Sequence, residues 1–411
     1  MRIERLSYLS KLINRKHNGL IKIITGARRC GKSYLLFVLF YEHLLSDGVS
    51  ENHVISIALD DRKNKALRDP DACDNYVRTR IGKGQYYLFL DEVQLLPEFE
   101  DVLNGFLHIE NLDVYATGSN SKFLSSDVIT EFRGRGDEIR VHPLSFSEFF
   151  TVHDGDWEEA WSDYFTFGGM PYIVSLKNDQ DKISYLDRLF KETYLRDIVE
   201  RNKMKQESEL EELVNIVASS VGSLTNPDKL VRTFKSMKNV SLSAPTIKNY
   251  LGYLEDAFLL SRAHQYNVKG KKYINTPVKY YFEDVGLRNA CLSFRQQEEA
   301  HIMENVIFNE LVIRGFQVDV GIIDVMEKGK RKRVEVDFVA NEGSKSYYIQ
   351  STLAIPDEQK RMQEERPLLA TKDSFKKIIV SKGNTKLNRD EYGVTTIGLK
   401  EFLLNPVSLE L

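Results

Sequence analysis

The chain has 411 residues, 42% hydrophobic and 28% charged, with a formal net charge of −3. That balance is ordinary for a globular protein long enough to bury two or three cores, and it excludes a disordered, fibrous or uniformly basic chain. Three widely separated cysteines, Cys30, Cys73 and Cys291, fit neither a disulfide framework nor a zinc site. They point to a reducing, cytoplasmic setting. The longest apolar runs fall far short of the ~18 residues a membrane span needs, and the N-terminal stretch has scattered charge and no apolar signal core. No membrane partner is expected.

In chain order, the first informative element is the β-branched run IKIIT, residues 21–25, which reads as a buried parallel strand. A helix-length apolar run, SYLLFVLFYEHLL, begins at Ser33. Between them GARRCGKS, residues 26–33, matches G-x-x-x-x-G-K-[ST] in the strand–loop–helix context the motif requires. The glycines let the backbone turn tightly and aim N–H groups at a phosphate, beside the positive end of the helix dipole. Lys32 is expected to reach the β- and γ-phosphates and Ser33 to offer a hydroxyl to Mg²⁺. ATP and Mg²⁺ are therefore the expected cofactors. The expected binding loop is Gly26, Ala27, Arg28, Arg29, Cys30, Gly31, Lys32, Ser33 and Tyr34. Arg28 and Arg29 would face a lid or solvent, with Cys30 a small filler.

The next strand, in QYYLFLDEVQLL, ends in Asp91-Glu92. Burying two acids is costly unless they have work to do. Asp91 is expected to hold the Mg²⁺ shell and Glu92 to polarise the attacking water. A third strand leads into Thr117-Gly118-Ser119-Asn120, whose polar tip would lie beside the γ-phosphate, with Ser119 or Asn120 as sensor. Arg133 and Arg135 flank Gly134. Either could clamp phosphate charge or be a solvated surface arginine.

The ordered set resembles a bacterial and archaeal family of AAA-type ATPases. It comprises the loop at Gly26 to Ser33, LDEVQ at Leu90 to Gln94, TGSNS at Thr117 to Ser121 and Gly134-Arg135. PLSFSEFF at Pro143 to Phe150 and GGMP at Gly168 to Pro171 complete it. The resemblance implies that Arg135 senses phosphate or acts as a finger, in cis or in trans, and it leaves homo-oligomerisation open. It extends to the chain's end through a poorly characterised C-terminal domain.

Residues 153–205 read as amphipathic helix, with Tyr185, Leu189, Tyr194 and Ile198 near a 3.6 period, similar to the helical lid of AAA-type ATPases. Arg196 is a second sensor or an ordinary helix charge. Residues 206–290 suggest a winged helix-turn-helix. Its helix carries Ile247, Tyr250, Leu251, Leu254 and Phe258 on one face, followed by a basic hairpin. From Asp228 to Asn275 nine Lys/Arg stand against three acids, a local net of +6, the footprint of a DNA contact or the solvated rim of a protein-packing module.

Residues 291–411 read as helix–strand–strand–strand–helix–strand and resemble the restriction-endonuclease-like fold. That resemblance implies a site of Glu304 on the helix and Asp337 on a strand. Gln350 and Thr352 stand where Glu-x-Lys belongs, so the nuclease site is degenerate. The basic run at Lys328 to Arg333 is a phosphate contact or a solvated hairpin.

The fold class expected is thus α/β: a P-loop NTPase core of AAA type over 1–152, a helical lid, a winged helix-turn-helix and a C-terminal restriction-endonuclease-like α/β domain. The candidate catalytic residues are Glu92, Lys32, Arg135, Asn120 and Ser119, with Ser33 and Asp91 as metal ligands. The function expected is Mg²⁺-dependent ATP hydrolysis coupled to DNA association. Alternatives are a nucleotide-gated switch binding a protein partner, and an active DNA nuclease.

Overall fold

In the computed structural model the described residues are 2–118, 132, 134–204, 207–238, 242–296, 298–327, 329–383 and 386–411. The chain divides into two units, Met1–Pro143 with Asp256–Phe258, and Leu144–Glu255 with Leu259–Leu411.

The apolar runs of the first third become the strands β1 (Ile21–Gly26), β2 (Val54–Ala58), β3 (Tyr86–Asp91), β4 (Leu112–Thr117) and β5 (Gly136–Val141). They form one all-parallel sheet in the order β2-β3-β4-β1-β5. β1, β3 and β4 are buried at every position, which is why their sequences run apolar without alternation. One face packs Ile21, Ile23, Ile57, Leu88, Leu90 and Val114 against Leu103 and Phe106 of the helix Phe99–Phe106. Lys22, a charge set deep in β1, pairs with Asp113 of β4, which also accepts from the Tyr115 hydroxyl at 2.8 Å. Burial lowers the Lys22 pKa from its ordinary value, and Asp113 opposes the shift.

The helix after the glycine loop runs without a break through residues 32–46, with a π-helical stretch at Leu35–Phe40. Gly26 is required by packing as well as by turning. Its φ is +136°, and a Cβ there would stand 2.0 Å from the Val141 carbonyl oxygen on β5.

In the second unit the helices Trp157–Phe167, a continuous 179–201 helix, Glu207–Ser219, α1 (Pro227–Lys238) and α2 (Ala244–Asp256) precede an eight-stranded sheet. The sheet is built from β6 (Leu260–Asn267), β7 (Lys272–Phe282), β8 (Gln317–Glu327), β9 (Lys330–Glu342), β10 (Lys345–Thr352), β11 (Lys376–Ser381), β12 (Asn388–Arg389) and β13 (Val394–Gly398), ordered β12-β13-β11-β10-β9-β8-β6-β7. Helix α3 (Glu299–Ile313) precedes β8, and α4 (Glu358–Ala370) joins β10 to β11, which run parallel.

The hairpin expected as a wing is β6–β7. It is not a separate appendage: β6 pairs in parallel with β8 and extends the C-terminal sheet. A break at residue 290 therefore falls inside one unit. A hairpin's local pattern does not say which distant strand it will pair with, and that pairing decides where a domain ends. The apolar face expected on α2 is buried, with Ile247, Tyr250, Leu251 and Leu254 all inside.

Candidate functional site: the carboxyl edge of the parallel sheet

In open parallel sheets ligands bind beyond the carboxyl ends of the strands. Three polar groups meet there. Ser33, at the start of the 32–46 helix, donates its hydroxyl to Asp91 Oδ1 at 3.0 Å. Thr117, the last residue of β4, donates its hydroxyl to the same oxygen. The Glu92 backbone N–H in turn donates to Thr117 Oγ1 at 3.2 Å. One threonine hydroxyl thus ties both acids to the strand lying between them and the glycine loop. Burial pushes the Asp91 carboxyl above its usual range, and the Thr117 and Ser33 hydroxyls hold it back. Glu92 has φ 52°, a left-handed conformation that costs a non-glycine residue about 1–2 kcal/mol. Its carboxylate accepts from the Gln94 amide.

Lys32 is buried, and its ammonium donates to the carbonyls of Gly26 at 2.9 Å and Ala27 at 2.8 Å. It is folded back over its own loop. Arg29 is exposed with φ 62°, Arg28 and Tyr34 are half-buried, and Gly31 has φ +101°. Cys30 is fully buried, its thiol on the Val141 carbonyl at 3.3 Å.

Arg135 is not brought to this edge. It is exposed, and its carbonyl accepts from the Ile21 N–H at the opposite, amino end of β1, so a six-residue strand of about 17 Å separates it from the glycine loop. The reason is register: Gly136 pairs with Ile21, at the start of β1. Ser119, Asn120 and Arg133 lie outside the described residues. Arg196, the other candidate sensor, is an exposed helix charge paired with Glu200 at 2.7 Å.

The second unit gathers another polar cluster. Glu304 of α3 accepts from the Tyr281 hydroxyl at 2.7 Å. Asp337 of β9 accepts from the backbone N–H and hydroxyl of Ser351 at 2.8 and 3.0 Å. Gln350 accepts weakly from the Asp337 N–H at 3.4 Å, and the Thr352 hydroxyl turns to the Ala354 carbonyl. Glu304, Asp337, Gln350 and Thr352 thus line one cavity of about 390 Å³. Burial, reinforced by Glu304, pushes the Asp337 carboxyl up to about 7. What sequence reading missed is Lys279 of β7. Its buried ammonium binds Glu304 at 2.9 Å and Glu335 at 2.7 Å. No motif marks it, because it lies 25 residues before Glu304, in a hairpin read as a separate domain.

Residues 18–150 match the AAA domain family, and residues 158–298 match a domain of unknown function. An uncharacterized protein of Haemophilus influenzae is 32% identical over 409 residues, covering 98% of both chains. One of Methanocaldococcus jannaschii is 29% identical, covering 94% of this chain and 86% of its own. Among solved structures, the Walker-type ATPase PABY2304 of Pyrococcus abyssi is 15% identical, covers 71% of this chain and 96% of its own, and has a TM-score of 0.49. The Aeropyrum pernix ORC1 protein, solved in complex with DNA, is 13% identical, covers 71% of this chain and 92% of its own, and has a TM-score of 0.30. No helix among the described residues is long and apolar enough to cross a membrane. The chain belongs to the same family as the Haemophilus influenzae protein, and within it residues 18–150 match an AAA domain.

Proposed function

We propose that the protein hydrolyses ATP with Mg²⁺ and couples the hydrolysis to DNA association. The observation that carries the ATPase reading is Ser33 Oγ within 3.0 Å of Asp91 Oδ1, directly beyond the glycine loop. A hydroxyl and a carboxylate oxygen side by side are the donor types a hard divalent cation takes. When bound, Mg²⁺ would neutralise charge developing on the transferred phosphoryl group. Lys32 would exchange the Gly26 and Ala27 carbonyls for phosphate oxygens. Thr117 would keep Asp91 and Glu92 in fixed relation while Glu92 accepts the proton of the attacking water. Ser119 and Asn120, next in sequence to Thr117, retain the proposed sensing role. Arg135, exposed at the far edge, would serve a neighbouring copy in trans.

DNA association is favoured by exposed cations across the basic 228–275 segment: Lys229, Arg232, Lys235 and Lys248 on the helices and Lys269, Lys271 and Lys272 in the hairpin. Cleavage by the C-terminal cavity has weaker support. Gln350 brings no charge, Thr352 brings no ammonium, and Lys279 is already committed to Glu304 and Glu335.

The test is ATP turnover with single-stranded, duplex and branched DNA, using Lys32→Ala as the blank. Turnover in wild type that is lost in Lys32→Ala and raised by DNA is the expected result. Wild-type turnover in the Lys32→Ala variant would overturn the ATPase assignment. Turnover indifferent to every DNA, with no binding at low salt, would overturn the coupling.

A further inference from the structure

The hairpins β6–β7 and β8–β9 turn at the same end of the eight-stranded sheet. β6 and β8 are parallel neighbours, with Gln265 opposite Val320 and Asn267 opposite Ile322. β6 turns there, while β8 runs on to Glu327, so the second hairpin projects past the first along the same direction. Beyond the register the Val268 N–H donates to the Ile322 carbonyl at 3.1 Å, and Lys269 Nζ donates to the Asp324 carbonyl at 3.3 Å. The strand order β9-β8-β6-β7 sets the shorter β6–β7 hairpin beside the base of the longer β8–β9 hairpin, one stepped front.

The front is strongly cationic. Lys269, Lys271 and Lys272 come from the first hairpin, and Lys330, Arg331, Lys332 and Arg333 from the second, all exposed. The described acids within 268–272 and 323–333 are Asp324 and Glu327, so seven cations face two acids, a local net of +5 in a chain of net −3. Both acids are already shared. Asp324 is paired with Arg331 and, at 3.5 Å, Arg333. Glu327 is paired with Lys332 at 3.2 Å and with Arg366 of α4 at 2.9 Å. Two carboxylates cannot neutralise this set, and the self-repulsion contributes nothing to the core beneath. An aromatic ring stands among the charges. Tyr273, next to Lys272 on β7, is 57% exposed and offers a face on which a base can stack.

We propose that this two-hairpin front is a nucleic-acid-binding surface that grips the phosphodiester backbone. The proposal rests on the DNA-association reading and locates the contact on the sheet end rather than on helix α1. Ring and cations together favour nucleic acid over an anionic lipid surface.

The experiment is anisotropy with a labelled single strand and a labelled duplex of about 30 nucleotides, from about 50 to 200 mM salt. One variant is Lys269→Gln/Lys271→Gln/Lys272→Gln, a second is Lys330→Gln/Arg331→Gln/Arg333→Gln, and the comparison is Lys229→Gln/Arg232→Gln/Lys235→Gln on α1. Each hairpin variant should bind about tenfold or more weakly at low salt, with the log–log salt slope reduced by about 0.7–0.9 for every phosphate no longer neutralised. Their circular dichroism and basal ATP turnover should match wild type, and the α1 variant should keep most of its affinity. Wild-type affinity and slope in both hairpin variants, with loss in the α1 variant, would overturn this surface and leave DNA association standing. No binding of either DNA by wild type at low salt would overturn DNA association itself. Binding of phosphatidylserine vesicles in place of DNA would overturn the choice of partner.

Discussion

Thr117 does the least visible work at the carboxyl edge of the parallel sheet and has the most to lose. Its hydroxyl donates to Asp91 and accepts from the Glu92 N–H at 3.2 Å. Thr117→Val keeps the shape, takes one of two hydroxyl donors from Asp91 and removes the acceptor of the Glu92 N–H. Apo stability should fall by about 1–2 kcal/mol and turnover by at least about tenfold. Calorimetry and steady-state kinetics would check this, and unchanged turnover would remove the threonine from the site. Asp319 allows a pH test away from any metal. It is 6% exposed, and burial pushes its carboxyl from 3.8 up to about 6, partly offset by the Tyr273 hydroxyl at 3.2 Å. A carboxyl raised in the folded state stabilises when protonated. That contribution is fully present below about pH 4 and is lost as pH rises through about 6. Asp319→Asn stays neutral, so relative to wild type it should gain about 2 kcal/mol at pH 7–8 and nothing near pH 4. Urea unfolding at both pH values reads the difference. The buried Asp284, also raised to about 6, shifts both proteins alike and cancels. Gly26 to Ser33, Asp91 and Thr117 were legible as polar breaks at the ends of apolar runs. Arg135 was not, because reading GR in chain order says nothing about which end of a parallel strand follows it.

At the scale of elements, two close fits decide whether the pieces assemble. Gly26→Ala would drive a Cβ against the Val141 backbone, which cannot swing aside as a side chain can. With φ at +136° as well, the loss should be about 3 kcal/mol or more, measured as a lower denaturant midpoint. Lys279 is the corresponding point in the second unit. Lys279→Met leaves Glu304 and Glu335 facing each other without their cation, at a cost of about 3–5 kcal/mol. The triple variant Lys279→Met/Glu304→Gln/Glu335→Gln should recover much of that loss. No recovery would mean the lysine acts through its packing. β-branched runs and the 3.6-residue spacing of α2 identified the elements themselves, because burial imposes those patterns locally. The role of β6–β7 was beyond such reading. The same alternation serves a free wing or two strands of a larger sheet, and the choice is made by β8, more than 50 residues further along the chain.

For the whole molecule, ligand binding must appear as stability in the unit that holds residues 26–33. MgATP at a hundredfold its Kd should add about 2.7 kcal/mol to wild type and nothing to Lys32→Ala, read as a thermal shift with a non-hydrolysable analogue. Equal shifts in both proteins would place the nucleotide elsewhere. The sequence by itself determined that a glycine loop of the G-x-x-x-x-G-K-[ST] pattern follows a buried strand, that acids end a second buried strand, and that the chain is α/β. These are consequences of short-range spacing and of the cost of burying charge without purpose. Tertiary structure alone decided that Thr117 joins the two acids, that Arg135 faces the other way, and that Lys279 enters a carboxylate cluster from outside its motif. It alone brought two basic hairpins, some 60 residues apart, to one end of the sheet. Each of these depends on strand order and register, set by the summed burial of residues distant in the chain, and no local pattern encodes them.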